Sequence, residues 1–181
     1  MATKIKTPRW GWALTGSGHF FKECLSIIRE LDNVDLFISR AAAEVIRMYR
    51  QEFDLSKSTR IFRDTTASAA PVGAFYFGTY HTLVLAPATS NTVAKCVYGI
   101  SDTLATNVFA QAGKCRVFSI VFACDTAPEL ETEAPKGMVK VYPRHIDLEN
   151  TARLKSFKDV VVVENLAELG DALTRRKREL T

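Results

Sequence analysis

The feature that most restricts this chain is an alternation, along almost its whole length, of short apolar runs with longer amphipathic segments. Trp10–Leu14, Val34–Ile38, Thr59–Phe62, Thr82–Leu85, Arg116–Ala123, Met138–Tyr142 and Asp159–Val163 read as strands. Between and after them, Phe20–Leu31, Ala41–Arg50, Asn91–Tyr98, Thr103–Ala112, Leu148–Lys155 and Leu166–Arg178 read as helices, most openly Phe20–Leu31 with its helical apolar spacing. After its first residue the run Thr82–Leu85 is apolar at every position, so both faces of that strand need cover, as in a central parallel strand. Such alternation builds a parallel sheet with helices on both faces. Right-handed crossovers then leave a doubly wound α/β arrangement. Two segments break the rhythm. Ala70–Tyr80, APVGAFYFGTY, reads as an irregular or one-turn stretch packed on the sheet, and Thr126–Lys136, acidic and holding two prolines, as a surface loop.

Composition narrows the class further. A chain of 181 residues that is 47% hydrophobic and 24% charged suits one domain, 1–181, with one sizeable core. Part of the net charge of +4 sits in Arg175, Arg176, Lys177 and Arg178. Cations in the last turn of a helix favour its negative dipole end, a simpler account than nucleic-acid binding. The polar N-terminus has no apolar run behind it, and no stretch approaches the ~18 residues of a membrane span. A cytoplasmic protein, with neither membrane nor nucleic acid as partner, is expected. Cys24, Cys96, Cys115 and Cys124 form no CxxC pair, so they read as buried thiols and no metal is expected.

In a doubly wound sheet the ligand lies beyond the carboxyl ends of the strands, where strand order reverses. The loops to inspect are therefore TGSGHF, Ser39–Arg40, APATSNT and ACDTAP. Thr15, Gly16, Ser17, Gly18 and His19 leave the first strand for a helix, whose free amides suit a phosphate. A GxGxxG fingerprint would need glycine at Phe21, and no Walker lysine follows. Ser17 and Ser39 suggest a monophosphate pocket, with plain N-capping as the alternative. The stretch LAPATSNTVAK, Leu85–Lys95, abandons hydrophobicity at a proline that should stop the strand. Small residues such as Ala88 leave room for a flat ring, and Thr89, Ser90, Asn91 and Thr92 offer donors and acceptors around it. A helix start needs only one of those four as its cap.

APATSNTVAK followed by YGISDTLATN, Tyr98–Asn107, resembles the signature of the flavin-dependent flavoprotein superfamily. The resemblance runs from WALTGSGH to HIDLENTARL, nearly the whole chain. It implies a three-layer α/β/α Rossmann-like sandwich with about six parallel strands in the order 3-2-1-4-5-6, which agrees with the reading above. It also implies FMN, and trimer-based homo-oligomers that extend to larger shells. Carried over by position, Gly16, Ser17 and Ser39, within Thr15–His19 and Ser39–Arg40, would hold the phosphate and ribityl chain. Ala88, Thr89, Ser90, Asn91 and Thr92 would line the flavin, with Ser101, Asp102, Thr103 and Leu104 close to its ring. Asn91 matches an asparagine that lies beside flavin and substrate in the family's decarboxylases. For Asp102 the alternative is a cap on the helix starting at Thr103.

Departures from the family pattern choose the branch. Gly73 stands where cysteine decarboxylases carry a histidine, and FACDTAPEL replaces their PxMNxxMW-type clamp. Cys124, Asp125 and Thr126 do not match the VPRE segment of flavin prenyltransferases. APVGAFYFGTY and YPRHIDLENTARL instead resemble the archaeal-flavoprotein and dihydromethanopterin-reductase branch. The resemblance thus implies an FMN-dependent reduction of dihydromethanopterin to tetrahydromethanopterin. An FMN electron carrier serving a ferredoxin-like partner is the rival reading, and a decarboxylase or prenyltransferase relative a more distant one. Electrons would come from a separate donor, a reduced nicotinamide, a flavin or a ferredoxin-like protein, because this chain has no cysteine cluster. The catalytic candidates are Asn91 and His19, the latter read either as proton donor or as a first-turn residue facing solvent. His81 and His145 read as structural. Phe75, Tyr76 and Phe77 could stack on a pterin, although aromatics of this size more often build core.

Overall fold

Successive side chains of a strand point to opposite faces, and β1 (Arg9–Leu14) uses both. Its Trp10, Trp12 and Leu14 enter one apolar core and Ala13 enters another. A computed structural model of the chain describes residues 8–49, 58–65, 69–134 and 137–181. From β1 the chain continues through α1 (Phe21–Arg29), β2 (Val34–Ile38), α2 (Arg40–Met48) and β3 (Arg60–Arg63). A short α3 (Ala69–Gly73) and a 3-10 turn (Ala74–Phe77) lead into β4 (Tyr80–Ala88), α4 (Ser90–Tyr98), α5 (Leu104–Lys114) and β5 (Phe118–Ala123). Next come β6 (Leu130–Ala134), β7 (Gly137–Val141), α6 (His145–Leu154), β8 (Val160–Val163) and α7 (Leu166–Leu180).

Six strands form one sheet in the order β3-β2-β1-β4-β5-β8, every pair parallel. Phe21, Cys24, Leu25 and Ile28 of α1, Val45 of α2 and Leu169 and Leu173 of α7 fill the core on one face. Phe75, Val93 and Val97 of α4, Val108 of α5 and Leu154 of α6 fill the other. This is the expected three-layer sandwich, with the strand order reversing between β1 and β4.

Three elements differ from their sequence readings. The acidic stretch expected to be a loop contains β6, which pairs antiparallel with β7. Its alternation LETEA against GMVKV carries a hairpin that prolines and acids disguised. Glu133 ties the hairpin to the sandwich, accepting from Lys22 at 2.6 Å and, through its carbonyl, from Tyr49 Oη at 3.4 Å. The sixth strand of the sheet is therefore β8. Second, Pro87 does not stop β4: pairing with β5 skips from Leu85 to Ala88, so the ladder passes over the residue that lacks a donor. Third, Arg176 is not simply a cation at a free helix end. Its guanidinium donates to Thr82 Oγ1 at 2.9 Å and to the His81 carbonyl at 3.0 Å, and lies over Phe118. That bolts α7 to the start of β4. His81 packs edge-on against Trp10, and burial, with Arg176 beside it, pushes its pKa down to about 4. The structural reading of His81 agrees with this; His145 is exposed, 3.4 Å from Glu149. Among the described residues no helix is long and apolar enough to cross a membrane, and no cluster could hold a metal.

The amino end of the sheet carries a buried charge. Asp35 is fully buried and accepts from Arg9 Nε at 2.8 Å, Tyr80 Oη at 2.9 Å and Arg60. A buried carboxylate is tolerable only when paired on all sides, and removing one partner leaves the others uncompensated. Asp35→Ala should therefore lower the unfolding free energy by about 3 kcal/mol, read by urea titration. Unchanged stability would contradict the role given to this network.

Candidate functional site

At the carboxyl ends of the strands lies a cleft of about 390 Å³. The β1 loop supplies Thr15 and Gly16, the β2 end Ser39, Arg40 and Ala41, and the β3 end Asp64. Thr89, Asn91, Thr92 and Lys95 come from the start of α4, Thr103 and Ala105 from the start of α5, and Glu44 from α2. Local chemistry explains each position. Thr15 is buried; its hydroxyl donates to the Pro87 carbonyl at 2.6 Å and accepts from the Thr89 amide at 3.1 Å. It thereby joins the loops on either side of the reversal point. Gly16 is required by packing, since a Cβ there would lie 2.6 Å from Ala41 Cβ. Gly18 packs elsewhere: a Cβ would meet Tyr49 Oη at 2.5 Å, so a substitution there would displace the end of the Tyr49 side chain.

Helices α2, α4 and α5 all begin at this cleft, so three positive dipole ends converge on it. They are not equally available. In α4, Thr89 caps the Thr92 amide and the Ser90 amide donates to Asp125 Oδ2 at 3.2 Å. In α5, Thr103 forms a reciprocal capping box with Thr106, and the Leu104 amide donates to Asp64 Oδ2 at 3.2 Å. The carboxylates of Asp125 and Asp64 thus offset two of the three ends. In α2, Ser39 caps the Ala42 amide, while the amides of Arg40 and Ala41 meet no acceptor among the described residues. Arg40, the first residue of the helix, adds a cation where a helix dipole disfavours one. An anion is what this end can accept.

The APATSNT stretch is now accounted for. Thr89 is the cap, Thr92 bonds to it at 3.0 Å, and Thr89, Asn91 and Thr92 line the cleft. Ser90 instead uses its amide on Asp125, and Ala88 is buried in β4, where its carbonyl accepts from Cys124.

Of the other candidates, Thr15, Gly16, Ser39, Arg40 and Thr103 line the cleft; Ser17, Gly18 and His19 do not. Ser17 Oγ donates to the His19 carbonyl, and His19 packs on Phe20 with ring centroids 3.7 Å apart. Burial lowers the His19 pKa from its ordinary value near 6.5, against the pull of Asp125, Glu23 and Glu133. Ser101 lines a separate apolar cavity with Phe109 and Phe157. Asp102 is exposed and bridges to Lys95 at 2.7 Å, which holds its carboxyl below the usual range. The cap of α5 is Thr103, not Asp102, because the extended backbone at Thr103 aims its hydroxyl at the Thr106 amide. Leu104 is a core residue whose amide alone faces the site. Phe75 is core, whereas Tyr76 and Phe77 are exposed and do not line the cleft. Cys24, Cys96 and Cys124 are buried and Cys115 half-buried; burial pushes Cys96 and Cys124 up to about 12.

Sequence reasoning missed Ala41, Glu44, Asp64, Lys95 and Ala105. Asp64 was within reach, since it follows β3 and the rule about strand ends applies to every strand. Lys95 lies one turn beyond Asn91 on α4, a spacing that places both on one face.

The fold is shared with known proteins. The model of the family described as Flavoprotein matches residues 1–176. The crystal structure of Burkholderia xenovorans DmrB in complex with FMN, described as a cubic protein cage for redox transfer, is 49% identical. It superposes with a TM-score of 0.87 over 96% of this chain and 97% of that one. Dihydromethanopterin reductase (acceptor) of Methanosarcina mazei is 37% identical over 77% of this chain, and that of Methanocaldococcus jannaschii is 35% identical over 63%. This chain spans 64% and 52% of the lengths of those two proteins.

The Gly16–Ala41 approach sets a testable expectation. Gly16→Ala should cost about 1–3 kcal/mol of stability by overpacking, and Gly16→Ala should be far better tolerated in an Ala41→Gly background. Equal losses in both backgrounds, by thermal or urea unfolding, would show that the contact does not decide the residue.

Proposed function

The chain belongs to the Flavoprotein family, and on that premise we propose that it is an FMN-dependent oxidoreductase that reduces dihydromethanopterin to tetrahydromethanopterin. Residues 1–181 form one FMN-binding domain, which works in the cytoplasm as a homo-oligomer and takes electrons from a separate donor. The observation that carries this reading is the cleft itself. Gly16, Ala41 and Ala105 line it with small side chains, and Gly16 packs closely against Ala41. Its one unoffset helix start, at Ser39–Ala41, fits a phosphomonoester, and Thr15, Thr89, Asn91 and Thr92 fit the polar edge of a flat heterocycle. The FMN complex of a 49% identical protein and the names of the archaeal reductases support the same assignment.

When bound, FMN supplies the hydride chemistry. The protein's part is to hold and orient. The Arg40 and Ala41 amides with the Ser39 hydroxyl would anchor the phosphate, and Gly16 would let the cofactor approach the β1 loop. Asn91, exposed at the cleft and free of protein partners among the described residues, would position the pterin against the ring. Ser17, Gly18, Ala88, Ser90, Ser101, Asp102 and Leu104 would support the cofactor by shaping the loops around it. In this reading His19, which packs on Phe20 outside the cleft lining, would pass its proton to the pterin through an intervening water. Its acid form predominates only below its lowered pKa, so turnover should fall as pH rises through a value under 6.5. His19→Gln should flatten that limb of the profile; a profile identical to wild type would remove His19 from the chemistry.

The direct test is anaerobic. The FMN-loaded protein is reduced, and dihydromethanopterin or dihydrofolate is added while absorbance is followed. Rapid flavin reoxidation with formation of the tetrahydropterin is the expected result. Reoxidation by a ferredoxin-like protein but by no pterin would assign the chain to electron carriage instead. Asn91→Ala should cut the pterin-dependent rate by about 10²-fold, the scale of a lost positioning contact, with the fold intact by circular dichroism. An unchanged rate would take Asn91 out of the site.

A further inference from the structure

A second cavity of about 450 Å³ adjoins the cleft, sharing Ser39, Arg40 and Asp64 with it. What distinguishes it is three arginines on its wall: Arg40, Arg47 and Arg63. Arg40 and Arg47 lie seven residues apart on α2 and so on one face of the helix. Arg63 ends β3, which lies beside β2 and its successor α2. None of the three forms a salt bridge among the described residues, in a chain whose other arginines repeatedly do. The acids that line the two cavities, Asp64 and Glu44, do not pair with them. Asp64 turns its carboxylate to the Leu104 amide, and Glu44, between the two arginines on α2, bridges to neither. Arg47 in the last turn of α2 would be explained by the helix dipole alone, but Arg40 in the first turn and Arg63 on a strand would not.

Arginine is the side chain suited to phosphate and carboxylate, and three guanidinia without an ion-pair partner among the described residues on one trough wall suit an anion. We propose that this trough holds the anionic end, phosphate or carboxylate, of the small molecule that exchanges electrons at the neighbouring cleft. The inference rests on the cleft being the redox site. Arg40, shared by both cavities, would link the cofactor end of the site to the reactant end.

The test uses FMN-loaded protein, so that the anion position in the cleft is filled. Inorganic pyrophosphate and citrate are titrated calorimetrically into wild type, Arg47→Gln, Arg63→Gln, the double variant and Arg175→Gln as a surface control. Binding in the wild type, weakened at least about tenfold in the double variant by loss of two charge-assisted contacts, is expected. Bound FMN should not change, and Arg175→Gln should behave as wild type. Tighter pyrophosphate points to a phosphate-bearing reactant, tighter citrate to a carboxylate-bearing one. No binding, equal binding by the double variant, or equal loss in Arg175→Gln would overturn the proposal. Protein that takes up no FMN would refute the cleft reading instead. The same titrations on cofactor-free protein then still decide the trough.

Discussion

The structure depends most on a pair of hydrogen bonds made by one hydroxyl. Thr15 donates to the Pro87 carbonyl and accepts from the Thr89 amide, and it does so in a buried position. In a doubly wound sheet the loops on either side of the strand reversal diverge, which opens a crevice. Something must fix how far apart they stand. Here a side chain at the end of β1 is hydrogen-bonded to the backbone at the end of β4, so this buried tie fixes the spacing of the two loops. Satisfying the Pro87 carbonyl in this way also lets β4 run beyond its proline without leaving a buried acceptor unpaired.

From that fixed fork, the electrostatics follow. Three helix starts face one cleft, and such a concentration of positive ends would hold any anion indiscriminately. Asp125 and Asp64 remove two of them from play. What remains is directional: a positive end at Ser39–Ala41 and a neutral polar wall at Thr89–Thr92. A ligand with an anionic tail and an uncharged hydrogen-bonding ring is the shape that this division of charge selects. The arginines beyond Ser39 extend the positive side further, toward the open edge of the sheet at β3.

How much of this was legible in the sequence varies with the kind of signal. The sheet was readable because the apolar centre of β4 needs cover on both faces and short strand-like runs such as Val34–Ile38 alternate with helical segments. The cleft positions of Ser39 and of Thr89, Asn91 and Thr92 were readable because they follow strands, where a doubly wound sheet opens its crevice. The hairpin at Leu130–Val141 was not, since prolines and glutamates outweighed a weak two-residue period. Asp64 follows β3 and Lys95 lies one turn beyond Asn91, so both positions were within reach of the same rules, but their partners Leu104 and Asp102 emerge only from the folded chain. Whether a serine such as Ser17 faces the cleft or the carbonyl of His19 is decided by a few torsion angles, which no residue pattern encodes. Glycine was ambiguous for the same reason, as Gly16 and Gly18 look alike in sequence yet meet Ala41 and Tyr49 respectively.

The central claim is that the start of α2 anchors a phosphate while the α4 loop receives a flat ring. The most direct measurement compares FMN with riboflavin, which differ only in that phosphate, by fluorescence titration of the cofactor-free protein. The account predicts that FMN binds at least about 10²-fold more tightly, the scale of several charge-assisted hydrogen bonds. Equal affinity for the two, or no affinity for either, would contradict it.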